Sequence, residues 1–222
     1  GCLFPFSCQW YQSRGVNADW VGHPLAEERP PVPHDSDQIA IMPGSRLPTI
    51  KQILPDMVRM AESMTEVHPN LTFTVVRAEG VTQSVFEPYL RNTTARVKVS
   101  ADVECVLKGS VLALTHPGTA TLHAALRGCL PLAMCNPARF THWVGARLIR
   151  VPHLSLPNLI LESQVFPEYI VSESHHNERV RDAIQLYEEA DQYEGGLKRV
   201  WEMCRNRAVQ RSPEKAFGPL FS

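Results

Sequence analysis

Residues 38–67, QIAIMPGSRLPTIKQILPDMVRMAESMTEV, decide the fold. The apolar run at 38–43 stops at a Pro-Gly pair, which is typical of a buried strand ending in a turn. Residues 48–67 then repeat apolar side chains at the spacing of one helical face. A strand followed at once by a long amphipathic helix predicts an α/β fold.

The same alternation continues toward the C-terminus. Further strands are predicted at 71–76, 97–99, 111–115 and 131–135, and further helices at 83–90, 102–108, 120–126 and 140–149. Strands at this spacing with helices between them indicate a Rossmann-like parallel sheet flanked by helices. After residue 173 the chain becomes polar, with helices predicted at 177–190 and 195–209, so that the sheet is followed by a helical C-terminal tail.

Residues 1–37 follow a different pattern. Short strands are predicted at 3–6 and 18–22, on either side of a helical turn at 7–14. Four prolines in residues 23–37 indicate a semi-rigid linker, because proline fixes φ and removes a hydrogen-bond donor. The chain opens with glycine rather than methionine, and we expect it to be a piece of a longer protein.

Composition narrows the class of protein. The apolar content of 44% and the charged content of 20% are ordinary for a globular chain, and the net charge of −1 argues against a nucleic-acid binder. No apolar run approaches the roughly 20 residues that span a bilayer. The six cysteines show no C-x-x-C pair, so reduced thiols are expected. Zinc spacing, a phosphate-loop lysine motif and G-x-G-x-x-G are all absent from the sequence, which argues against a metal site, a P-loop NTPase and a nicotinamide dehydrogenase.

Two loops follow strand ends, where parallel sheets bind their ligands. In the first, Gly44 allows close approach of a ligand, Ser45 offers a hydroxyl, and Arg46 offers a planar fork of donors that suits a phosphate. In the second, Gly118 and Thr119 open a helix whose free N–H groups favour an anion. Each loop alone is equally compatible with an ordinary turn, but two of them at neighbouring strand ends favour a diphosphate site.

Taken in order, five segments of the chain resemble lipid-A-disaccharide synthases. They are CLFPFSCQWY (2–11), WVGHPLAE (20–27), IAIMPGSR (39–46) with ILPDMV (53–58), GTATLHAALRGCLPLAM (118–134) and LSLPNLILESQVFPE (154–168). The resemblance implies the C-terminal, donor-binding half of the two-domain glycosyltransferase fold called GT-B. Its implied divisions are a remnant of the N-terminal acceptor domain at 1–22, a linker at 23–37, a nucleotide-sugar-binding domain at 38–172, and C-terminal helices at 173–222 that pack back on the first domain.

The implied reaction transfers diacylglucosamine from a UDP-activated donor to a monosaccharide lipid phosphate and releases UDP, without a metal or other cofactor. The implied place of action is cytoplasmic, peripheral to the inner membrane, and a homodimer is compatible with the resemblance. The catalytic residues are expected in the N-terminal half, which this chain lacks. We therefore expect the chain alone to bind nucleotide weakly and to turn over nothing.

The resemblance also implies site residues. Arg46, Gly118, Thr119 and Asn158 are expected around the donor nucleotide and its diphosphate, with Gly44, Ser45 and Thr121 supporting those loops. His123 stands where the family usually has a glutamate that faces the ribose, and its imidazole retains one acceptor. Other departures from the family pattern are Thr49, Cys135, Asn136 and Val171. They leave two alternatives open: a GT-B transferase for another UDP-sugar, or a degenerate, non-catalytic relative kept for binding or assembly.

Overall fold

The centre of the molecule is a six-stranded, fully parallel sheet. The computed structural model describes residues 1–26, 32–33, 35–135, 153–171 and 175–205. The strands are β1 (Gln38–Met42), β2 (Thr72–Val76), β3 (Arg96–Ser100), β4 (Leu112–Thr115), β5 (Leu130–Cys135) and β6 (Glu168–Ile170). They lie in the order β3-β2-β1-β4-β5-β6, so the chain runs outward from β1 in one direction and then from β4 in the other.

Both faces of this sheet are buried, as β1 illustrates. Ile39 and Ile41 belong to the larger apolar cluster on one face, whereas Ala40 and Met42 belong to a smaller cluster on the other. The alternation follows from the two-residue period of a strand. A parallel strand that is covered on both faces carries apolar side chains at successive positions, which explains the IAIM sequence.

The helices that cover the sheet are short except for the one that follows β1. They are α1 (Pro5–Gln12), α2 (Leu47–Val67), α3 (Glu87–Leu90), α4 (Val103–Lys108), α5 (Thr119–Leu126), α6 (Leu156–Leu161), α7 (His176–Glu188) and α8 (Glu194–Cys204). Helix α2 packs against α7, and α8 packs against α5 and α6. Among the described residues, none of these helices combines the length and the apolar character needed to cross a bilayer.

The predicted sheet is confirmed, and the helices predicted at 177–190 and 195–209 correspond to α7 and α8 within the described residues. The five strands predicted between residues 38 and 135 agree with β1 to β5 to within one residue at each end, and the helices at 48–67, 102–108 and 120–126 are confirmed as α2, α4 and α5. The helix predicted at 83–90 is divided into a 3-10 turn, Gln83–Val85, and α3. The helix predicted at 140–149 lies outside the described residues.

Both strands predicted near the N-terminus are wrong. Pro5 occupies the first turn of α1, with Phe4 as its N-cap, so the apolar run at 3–6 enters a helix. Proline suits that position because the first N–H groups of a helix have no partner within it. Within 18–22, only Trp20 pairs, in an isolated bridge to Cys2. Strand β6 was not predicted, since its three residues are only half-buried and carry no clear alternation.

The first residues of the predicted linker pack on the sheet domain. The backbone N–H of His23 donates to the carbonyl oxygen of Cys204 in α8 at 2.7 Å. Arg127, which follows α5, donates from Nη1 to the carbonyl oxygen of Leu25 at 2.7 Å. These contacts join residues 23–25 to the end of α8 and to the end of α5, while the division into domains stays a prediction.

Candidate functional site

A cleft of about 620 Å³ opens at the carboxyl edge of the sheet. Its walls come from the segments that follow β1, β2, β3 and β4. Strands β1 and β4 are neighbours, and the chain leaves them in opposite directions, so the cleft lies at the topological switch point. Doubly wound sheets bind their ligands at this position.

The segment after β1 brings Gly44, Ser45 and Arg46 to one wall. Gly44 has a φ of 97°, a conformation that favours glycine, although a Cβ there would meet its nearest neighbour only at 3.6 Å. Arg46 is the N-cap residue of α2, has extended backbone angles and is exposed. A cation that begins a helix is well placed to meet an anionic ligand in the cleft.

The segment after β4 supplies the facing wall. Gly118, with φ of 125° and ψ of −152°, is the N-cap of α5, and Thr119 is exposed in the cleft at the first helical position. Thr121 does not line the cleft, but its Oγ1 donates to the carbonyl oxygen of Gly118 at 2.7 Å and fixes the loop. The N–H of Thr121 donates back to the carbonyl oxygen of Gly118 at 3.2 Å, and the N–H groups at the start of the turn, together with the helix dipole, favour an anion here.

Three further cleft residues were missed by the sequence analysis: Arg77, Glu79 and His116. Arg77 directly follows β2 and donates from Nη1 to the carbonyl oxygen of Val81 at 2.9 Å. The N–H of His116 donates to the carbonyl oxygen of Met42 at 2.9 Å, which ties the ends of β4 and β1 together. All three follow strand ends, so the rule that located the two predicted loops would also have found them.

His123 lies one turn along α5 from the cleft and is bonded to a carboxylate. Its Nε2 donates to Glu104 Oε1 at 2.7 Å, and Arg127 Nε donates to Glu104 Oε2 at 2.6 Å. The hydrogen bond from Arg127 is the main cause that lowers the pKa of Glu104 to about 2, and the bond from His123 adds to it. A carboxylate is therefore present beside position 123, contributed by α4 rather than by α5.

Asn158 is fully buried away from the cleft lining. Its Nδ2 donates to the carbonyl oxygen of Phe166 and to Glu168 Oε1, both at 2.7 Å. Its Oδ1 accepts from the N–H groups of Val165 and Phe166 at 3.0 and 2.9 Å. The amide thus organises the loop before β6, and its contact with a donor nucleotide stays a prediction.

The other departures from the family pattern are buried where the structure describes them. Cys135 ends β5, and burial, followed by the charge of Glu168, raises the pKa of its thiol to about 11. The N–H of Val171 donates to the Cys135 carbonyl oxygen at 2.7 Å. Thr49 lies in the first turn of α2 and lines the cleft. Asn136 lies outside the described residues.

The described residues gather no group of three or more His, Cys, Asp or Glu side chains that could hold a metal ion. The charged side chains of the cleft are Arg46, Arg77 and Glu79. Two arginines and one glutamate, together with the α5 N-terminus, form a site suited to an anionic ligand.

Comparison with known proteins gives a family match over almost the whole chain. The family described as "Lipid-A-disaccharide synthetase" matches residues 1–214. Lipid-A-disaccharide synthase of Anaeromyxobacter sp. (strain K) is 32% identical over 182 residues, which cover 76% of this chain and 48% of that protein. The synthase of Geobacter metallireducens is 30% identical over 217 residues, covering 90% of this chain and 56% of that protein. The chain thus spans about half the length of these curated relatives.

Solved structures share the fold at low sequence identity. The pneumococcal O-GlcNAc transferase GtfA, crystallised in complex with UDP and GlcNAc, superposes with a TM-score of 0.55 at 13% identity, covering 90% of this chain and 39% of that one. The spinosyn rhamnosyltransferase SpnG superposes with a TM-score of 0.50 at 15% identity, covering 89% of this chain and 52% of that one. Both are GT-B glycosyltransferases, and the expected fold class is confirmed.

Proposed function

Because this chain belongs to the lipid-A-disaccharide synthetase family, we propose that it forms the donor-binding half of a glycosyltransferase of lipid A biosynthesis. In this proposal the cleft holds the UDP part of a UDP-activated diacylglucosamine, and the sugar passes to a monosaccharide lipid phosphate. The observation that carries the proposal is the meeting of Arg46 and the α5 N-terminus across one cleft at the switch point.

The chemistry of the leaving group explains why these features suit the reaction. Breaking the bond between the sugar and UDP leaves negative charge on the diphosphate. Donors that are already in place stabilise such charge as it develops, without reorganising. Arg46 supplies a charged fork of donors, and the first turn of α5 supplies backbone N–H groups. Gly118 lets the chain enter that turn at a φ of 125°.

The remaining parts of the reaction belong to the rest of the proposed enzyme. We place the acceptor site and the catalytic base in an N-terminal half, of which residues 1–22 would be the last piece. Peripheral attachment to the inner membrane and a homodimer remain part of the proposal by family membership. On this view the chain alone binds UDP and does not synthesise disaccharide.

Calorimetric titration with UDP tests the donor site. We expect saturable binding that Arg46→Ala weakens by about 10- to 100-fold, which corresponds to the roughly 1.5–3 kcal/mol of a charged hydrogen bond. Lys51→Ala is the matched control, because it removes one exposed cation from the same helix outside the cleft. We expect this control to bind UDP within about twofold of the wild type, since exposed charges at a distance are largely screened.

Two outcomes would contradict the proposal. A folded sample that shows no saturable binding of UDP would exclude a working donor site in this chain. Equal losses in Arg46→Ala and Lys51→Ala would mean that UDP responds to overall charge and not to the cleft.

A further inference from the structure

One hydroxyl group in the wall of the cleft has no hydrogen-bond partner. Thr49 is 4% exposed, and its Oγ1 has no partner among the described residues. Removing a hydroxyl from water without giving it a partner costs free energy, and proteins usually avoid that cost. An unpartnered hydroxyl on a residue that lines a ligand cleft can gain its partner from the ligand.

Thr49 lines the cleft with its methyl group, and its hydroxyl lies behind that surface. Its methyl carbon Cγ2 lies 3.6 Å from the point that a Cβ of Gly44 would occupy, so the methyl faces the loop of the cleft. The hydroxyl, on the other branch of the same Cβ, has no exposed surface. A rotation of about 120° about the Cα–Cβ bond can carry the hydroxyl to the place that the methyl now occupies, and threonine in helices populates two rotamers.

The first turn of α2 also needs side-chain donors to hold an anion. Pro48 has no N–H, and the N–H of Thr49 donates back to the carbonyl oxygen of Arg46 at 2.9 Å, so two donors of the first turn are not available. The backbone of this turn therefore has fewer free donors than helix N-termini usually offer. Ser45, Arg46 and Thr49 line the cleft beside this turn, and their side chains can supply such donors.

We propose that Thr49 is a ligand-binding residue of the donor cleft. When a nucleoside diphosphate enters, the hydroxyl turns toward the cleft and donates a hydrogen bond to a phosphate oxygen, beside the Arg46 guanidinium. The proposal rests on the proposed function, because it needs a phosphate group in this cleft. It adds a side-chain donor to those of Ser45 and Arg46, and it accounts for a buried hydroxyl that has no partner among the described residues.

Thr49→Val tests the proposal because it removes the hydroxyl and keeps the branched shape. Without ligand, we expect the variant to melt about 1–3 °C higher than the wild type, since an unpaired buried polar group is lost. In the same sample, we expect UDP to bind about fivefold more weakly or worse. Thr49→Ser retains the hydroxyl and should bind UDP within about twofold of the wild type. Titration with uridine, which lacks phosphate, should give the same affinity for Thr49→Val and the wild type.

The Arg46→Ala titration separates failure of this proposal from failure of the donor site. If Arg46→Ala weakens UDP binding and Thr49→Val does not, the Thr49 contact is excluded and the donor site stands. Equal losses of UDP and uridine affinity in Thr49→Val would exclude the phosphate contact. A lower melting temperature for that variant would show that the hydroxyl is already paired in the free protein, and would also overturn the proposal. If the folded wild type does not bind UDP, both proposals fail.

Discussion

Among single residues, Glu104 links two helices, because its carboxylate accepts hydrogen bonds from His123 and Arg127. The sequence shows each of these residues but not their contact, which depends on how α4 and α5 pack. From the sequence alone, a histidine at position 123 indicates that the site lacks the carboxylate of the glutamate usual in the family. The structure brings Glu104 to that histidine from α4, the helix that precedes α5 in the chain. Contacts of this kind lie beyond any local pattern.

Replacing Glu104 by glutamine should reduce stability in a way that depends on pH. The pKa of this carboxyl is lowered to about 2, so its contribution is complete above the unfolded value of about 4.3 and disappears as the pH falls toward 2. Since the side chain is 44% exposed, we expect a loss of only about 0.5–1.5 kcal/mol at pH 7. Urea denaturation between pH 7 and pH 3 measures the difference.

The control for Glu104→Gln is Glu66→Gln, at an exposed position near the end of α2. Its stability should follow that of the wild type to within about 0.5 kcal/mol at each pH. A gap between wild type and Glu104→Gln that stays constant down to pH 3 would show that the ionised carboxylate does not provide the stability.

At the scale of elements, helices and strands are predicted most accurately where a pattern of apolar residues continues over many positions. Helix α2 repeats its apolar positions over 21 residues, and β1 is a run of apolar residues between turn signals. The run at residues 3–6 is too short for its period to distinguish strand from helix, and Pro5 decides in favour of a helix. Strand β6 has three residues and is defined by pairing with β5, a partner that no local pattern reveals.

Two glycines that begin helices should respond to alanine in opposite directions. A Cβ would meet open space at both Gly118 and Gly195, so only backbone conformation differs. At Gly118, φ of 125° and ψ of −152° lie in a region that only glycine readily adopts. We therefore expect Gly118→Ala to lower the free energy of unfolding by about 1–3 kcal/mol. Gly195 lies in α8, where we expect replacement by alanine to raise the free energy of unfolding by about 0.5 kcal/mol. Thermal denaturation of the two variants measures both effects, and a loss of similar size in each would contradict this account.

At the scale of the whole molecule, the beginning and end of the described chain meet on the sheet domain. His23 bonds to the end of α8, whose residues Leu197, Val200 and Trp201 are buried in the main core. The order of elements and the fold class could be predicted, and so could the two loops of the cleft. The docking of residues 23–26 could not, because a proline-rich composition indicates a linker and not the surface it contacts.

Replacing one tryptophan in α8 and one in α1 tests whether α8 is part of the core. Trp201 is 6% exposed. We expect Trp201→Ala to lower the free energy of unfolding by about 3–5 kcal/mol, because the substitution leaves a cavity in packed surroundings. Trp10 is 52% exposed on α1, and the same replacement there should change stability by about 0.5 kcal/mol or less. Urea denaturation followed by circular dichroism measures both variants. Similar losses at the two positions would contradict the assignment of α8 to the core.

The position of β1 in the middle of the sheet has a consequence for how the protein folds. Ile39 pairs with Phe73 on one side and with Leu112 on the other, so the second pairing closes a much longer loop of chain. During synthesis, β1, β2 and β3 can assemble before β4 has been made, and one edge of β1 is then unpaired. Non-local pairing of this kind slows folding, and an open strand edge can join another chain. We therefore expect refolding yield to fall with protein concentration, and ribosome-bound chains that end before residue 112 to be the most prone to aggregate.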